Sequence, residues 1–157
     1  MRTGFKLDRW YVHPEIEWLA PGELQAVAMI DLKPKDNALS VYAIDDAANV
    51  ERISIAVAAG KQDPEPLGYA IFDRAAVNAL GIKVEKVEGT TADDAVNLLH
   101  YNLHHLTAQQ LVGLANVISQ GWILEMLPKR VRELVRAGLD AKRLDRGRVN
   151  PKLLAKL

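Results

Sequence analysis

The chain contains no cysteine, which removes disulfides, thiolate nucleophiles and cysteine metal sites together and fits a reducing compartment. Serine is almost as scarce. Ser40, Ser54 and Ser119 are the only three, and none stands in the glycine-flanked strand-to-helix turn that exposes a nucleophilic hydroxyl. Glycine-rich phosphate loops, dinucleotide fingerprints and calcium loops are missing too. Gly60 and Lys61 adjoin, but without the earlier glycine and the following hydroxyl of a phosphate-binding loop. No stretch approaches the ~20 apolar residues needed to span a bilayer, and the opening MRTGFKLDRWYV has no apolar run of signal-peptide length. The expectation is therefore a cytoplasmic protein with no membrane partner. Aromatics make up 6% of the residues, so the cluster Trp10, Tyr11 and Trp18 is expected in the core; the alternative is a stacking platform for a base or sugar.

What is present describes an ordinary folded protein. Apolar residues at 49% and charged residues at 25% match a globular chain. A length of 157 residues suits one domain that buries about 70% of its extended surface. No internal repeat or low-complexity segment interrupts it.

Strand and helix signals alternate through the first ninety residues. An irregular strand is read over Trp10 to Leu19, broken by Pro14, then a short helix from Pro21 and Gly22 through Leu32, with a strand over Ala26 to Leu32 as its alternative. Leu39 to Ile44 reads as a strand, Ala47 to Ala59 as a helix ended by Gly60, Leu67 to Phe72 as a strand, Arg74 to Leu80 as a helix and Ile82 to Glu88 as a strand. The fold class is α/β, or α+β: a small sheet with flanking helices in the N-terminal half, some pairing expected to be parallel, followed by a helical C-terminal region. In a parallel sheet the strands' carboxyl ends share one edge, where Asp45, Asp46 and Asp73 would gather, either to cap the following helices or to serve as metal ligands or acid and base.

Thr91 to Leu106 is read as the central helix. Val96, Leu99, Leu103 and Leu106 recur at helical spacing, and Thr91 with Asp94 forms a start signal like a capping box. On that wheel Asp93, Asn97, His100 and His104 form one line. Two histidines four apart are metal-ligand spacing on a helix, but Tyr101 stands where the metalloprotease pattern needs glutamate. The alternative is a pair of border histidines packed against the core. Thr107 with Gln110 opens another helix through about Ile118, residues 122 to 127 are ambiguous, Pro128 begins a helix through Ala137, and Asn150 with Pro151 caps the last one.

Charge is segregated beneath a formal balance of zero. Residues 1 to 127 carry 10 Lys and Arg against 17 Asp and Glu, whereas residues 128 to 157 carry 10 against 3. An acidic body, 1–127, is thus followed by a basic arm, 128–157, that docks on its own body, on a neighbouring copy, or on a separate polyanion. Arg130, Arg132, Arg136, Lys142, Arg143, Arg146 and Arg148 are its candidate partner-binding residues. The leading expectation is a non-enzymatic interaction or regulatory protein, without cofactor, whose arm mediates self-association or docks on a protein partner. Two rivals stand beside it. One is a metal-dependent hydrolase that uses His100 and His104 with Asp93, Asp45 or Asp73 around a divalent ion; the other is a nucleic-acid or polyanion binder acting through the arm.

Overall fold

The computed structural model describes residues 1–10, 23–63 and 65–157. The chain forms a mixed α/β fold of two three-stranded sheets with helices. Strands β1 (Arg2–Phe5), β3 (Leu67–Ile71) and β6 (Trp122–Met126) make the first sheet, in the order β1-β3-β6. Strands β2 (Leu39–Tyr42), β5 (His100–His104) and β4 (Lys83–Lys86) make the second, in the order β2-β5-β4. Among the described residues every strand pair is antiparallel, which corrects the expected parallel pairing there. Met1 links the sheets: its nitrogen donates to the Tyr42 carbonyl and its carbonyl accepts from the Tyr42 amide, each at 2.7 Å.

Local signals account for most helices. Helix α1 (Leu7–Trp10) is a single turn, and Ala26–Leu32 is a 3₁₀ helix, so the strand alternative there does not form. Helix α2 (Ala47–Ala59) begins at Asp46, whose carboxylate accepts from the Ala48 amide, and ends at Gly60. Helix α3 (Arg74–Ala79) is capped by Asp73 in the same manner, at 2.8 Å. Ahead of helix α5 (Ala108–Ser119), Thr107 and Gln110 form a reciprocal capping box. Helix α6 (Pro128–Asp140) starts on its proline and runs past Ala137 through Gly138, and helix α7 (Pro151–Leu154) is capped by Asn150. The expected strand over Trp10 to Leu19, with Tyr11, Pro14 and Trp18, lies outside the described residues beyond Trp10. Trp10 itself is buried, edge-on to Phe5 at 5.1 Å, and donates its indole N–H to Asp31 at 2.9 Å.

The central stretch is the main correction. Residues 91–106 are not one helix: helix α4 (Asp94–Asn97) is a single turn, and the chain then enters β5. Asp93, not Thr91, is the cap, accepting from Ala95 and Val96, while Thr91 is bound to Asn97. β5 is the middle strand of its sheet, paired with β2 on one side and β4 on the other. Two ladders satisfy its backbone, and this tertiary pairing outweighs the local helical spacing. Val96, Leu103 and Leu106 are buried all the same.

Two apolar clusters flank the first sheet. On one side Leu67, Tyr69 and Ile71 meet Ile53, Ile55 and Ala59 of α2 together with Val131, Leu134 and Val135 of α6, and Leu144, Val149 and Leu153 complete that cluster. On the other side Ala70 and Ile123 meet Leu114 and Ile118 of α5 and the inner face of the second sheet, Leu39, Val41 and Leu103. The alternation of burial along β3 follows from its two-residue side-chain period. The basic arm is therefore docked on its own body, with Val135 and Leu153 fully buried.

Gly68 shows how closely β1 approaches β3. A Cβ placed there would lie 1.9 Å from the Phe5 carbonyl oxygen, beside the irregularity between Thr3 and Phe5, where Gly4 adopts a φ of +96°. Gly68→Ala is expected to lower unfolding free energy by roughly 2 to 3 kcal/mol, because the central strand has no flexible neighbour to displace. Denaturant titration measures it, and an unchanged midpoint would contradict the close approach.

Candidate cleft between the two sheets

β2 leaves its sheet through Ala43 and Ile44 to Asp45, and β3 leaves its own through Phe72 to Asp73. The exits converge on a cleft of about 750 Å³. Its second-sheet wall is Val41, Tyr101, Leu103 and Val84, residues that share one face of that sheet through the pairs Val41 with Tyr101 and Leu103 with Val84. Ile71, Phe72, Ala76 and Val77 form the opposing side, with Val117, Gln120 and Gly121 at the end of α5. The lining is apolar with few polar groups, the usual make-up of a small-molecule pocket.

Those polar groups differ in how far they are already engaged. Asp73 is spent partly on capping α3. Asp45 is exposed and has no hydrogen-bond or ion-pair partner among the described residues. Arg74, likewise without a carboxylate partner among them, holds its guanidinium over the Tyr101 ring at 6.0 Å from the centroid. Tyr42, at the inner end, is nearly buried, and burial pushes its phenol above the ordinary range, which keeps the hydroxyl protonated and neutral.

Of the three carboxylates expected at the strand ends, Asp45 and Asp73 do line one cleft, while Asp46 caps α2. The reason is not a shared parallel edge: β2 and β3 belong to different antiparallel sheets whose ends converge. The metal arrangement fares differently. On a strand, His100 and His104 are four residues and about 13 Å apart, too far for one ion. His100 donates from Nδ1 to the Val87 carbonyl at 3.0 Å and lies edge-on to Tyr42. His104 has Nε2 3.4 Å from Glu85. Asp93 is bound by Arg52 through two contacts of 2.6 and 2.9 Å. Among the described residues no three of His, Asp and Glu converge as a metal site.

The arm cations separate into two groups. Arg130 pairs with Glu51 at 3.1 Å, and Arg148 bridges Asp94 at 2.6 Å and Asp145 at 3.0 Å. Arg132, Arg136, Lys142, Arg143 and Arg146 have no ion-pair partner among the described residues.

In the sequence Tyr101 stands out merely as a misfit to a metalloprotease pattern, and Arg74 merely as the start of a helix. A signal for Arg74 existed in the charged pair directly after the apolar strand LGYAIF. None existed for its meeting with Tyr101, which needs α3 and β5 to be brought together. Compared with protein-family models, curated proteins and solved structures, the chain matches none, so the cleft is read from its own residues.

Proposed function

We propose that the protein binds a small organic molecule in the cleft between its two sheets. The observation that carries this reading is the cleft itself: about 750 Å³ of space walled by Val41, Val84, Leu103 and Tyr101, within the roughly 300–1,000 Å³ typical of ligand pockets. Val41 and Leu103 are already buried, while Val84, Tyr101, Ile71 and Phe72 remain half-exposed around the cleft. Covering their apolar surface is worth about 25 cal/mol per Å² to an apolar ligand. Docking of a partner through the arm has weaker support. The arm's apolar stripe is already buried against α2, and the exposed face of α6 interleaves Lys129 and Arg136 with Glu133 and Asp140.

The test uses neutral anilinonaphthalene, which fluoresces when it leaves water, with the wild-type chain and Ala76→Trp, a substitution that fills the cleft from a half-buried helix position. Saturable fluorescence is expected with the wild type, and at least about tenfold weaker binding with the variant, a difference of 1.4 kcal/mol or more. Absence of saturable binding, or equal binding by both proteins, would overturn the reading.

A further inference from the structure

Resting on that reading, we infer that the cleft selects a planar apolar molecule carrying an anionic group, with its ring along the apolar wall beside Tyr101 and the anion on the Arg74 guanidinium. Arg74 is a cation without a counter-charge among the described residues, poised over an aromatic wall. Guanidinium presents a fork of donors that matches a carboxylate, sulfonate or phosphate better than a neutral group. The guanidinium N–H donors lie in its own plane, so a guanidinium set against a π face keeps donors along its edge, available to an anion beside the ring.

The two carboxylates at the cleft do not cancel this preference. Asp73 already accepts the Ala75 amide at 2.8 Å at the start of α3. Asp45 and Arg74 are both exposed, so water and salt screen both, but Arg74 is the one set against the Tyr101 ring. Charge discrimination therefore falls to the cation that lies on the apolar wall. A ligand with no flat face would lose Tyr101, and one with no anion would leave Arg74 as it stands.

Anilinonaphthalene and its sulfonate share one ring skeleton and differ by a single anion, so they separate this inference from the occupancy of the cleft. Wild-type protein is expected to bind the sulfonate about tenfold more tightly than the neutral compound. Arg74→Gln should erase that difference, weakening the sulfonate about tenfold and leaving the neutral compound unchanged. Arg74 is exposed, and a near-ultraviolet circular dichroism spectrum identical to wild type checks that the variant is folded. Arg132→Gln, on α6, which contributes nothing to the cleft lining, is expected to leave both affinities unchanged. Equal affinities in the wild type, parallel weakening of both compounds by Arg74→Gln, or loss of sulfonate preference in Arg132→Gln would overturn the assignment to Arg74 while leaving the cleft occupied. If neither compound binds saturably, the cleft reading fails and this inference with it.

Discussion

A chain ended after Leu127 is expected not to fold. The cut removes Val131, Leu134, Val135, Leu144, Val149 and Leu153 from the larger apolar cluster and opens Ile53, Ile55, Ala56 and Ala59 of α2 to water. Burial of one such aliphatic side chain contributes ~1.5 to 3 kcal/mol. Six of them sum to at least ~9 kcal/mol, as much as the whole stability of an ordinary domain, about 5–15 kcal/mol. Surface ion pairs lost with the arm, such as Arg130 with Glu51 and Arg148 with Asp94, add less, since each exposed pair is worth about 1 kcal/mol or below. Near-ultraviolet circular dichroism and a denaturant titration read the result. The expected truncated chain lacks fixed tertiary structure and a cooperative transition. A sharp transition near the wild-type midpoint would show instead that the arm is an appendage and that residues 1–127 hold a core of their own.

The same arm illustrates what the sequence made legible. Its opposite charge, its apolar stripe and its stop and start residues are local features: Pro128 opens α6, and Asn150 with Pro151 opens α7. The cap at Asp46, the Gly60 exit and the Thr107 and Gln110 box likewise place α2 and α5 within a residue of where they form, because caps act over three or four residues. Strand partners carry no such mark. Leu39 pairs with Leu103, and Leu67 with Met126, each about sixty positions away, so alternating strands and helices point to parallel crossovers that the described strands do not make.

Residues 91 to 106 were misread for a definite reason. Val96, Leu99, Leu103 and Leu106 fit a helical period, while His100, Asn102 and His104 against Tyr101 and Leu103 fit a period of two. Five residues cannot decide between periods. The decision is made by β2 and β4, which supply ladders to both edges of β5. Once that segment is extended, the histidines separate, and the chemistry built on their proximity goes with them. Asp45 and Asp73, read from strand ends, survive as neighbours of the cleft because a strand end is a local feature even when the sheet topology is not.

Asp93, the remaining member of that expected metal set, instead ties the start of α4 to Arg52 of α2, and Asp93→Ala is expected to cost roughly 2 to 3 kcal/mol. That is less than for a fully buried pair, because the Arg52 side chain is 38% exposed and stays solvated. The Asp93 side chain is only 3% exposed and accepts from four donors: Arg52 Nε and Nη2, the Ala95 amide at 3.0 Å and the Val96 amide at 3.4 Å. Truncation leaves the start of α4 uncapped, which alone is worth ~1 kcal/mol, and takes the counter-charge from Arg52. Arg52→Ala does the converse, leaving a buried carboxylate with only the Ala95 and Val96 amides to hold it. Asp93→Asn keeps an oxygen for the cap and is expected to lose about 2 kcal/mol, chiefly the charged part of the contact with Arg52. A double-mutant cycle over Asp93→Ala and Arg52→Ala should return a coupling of about 1 to 2 kcal/mol, since solvent reaches the Arg52 side of the pair. If Asp93→Ala shifts stability by less than about 1 kcal/mol, the bridge contributes no more than an exposed surface pair, and α4 must be held to α2 by the apolar contacts of Val96 alone.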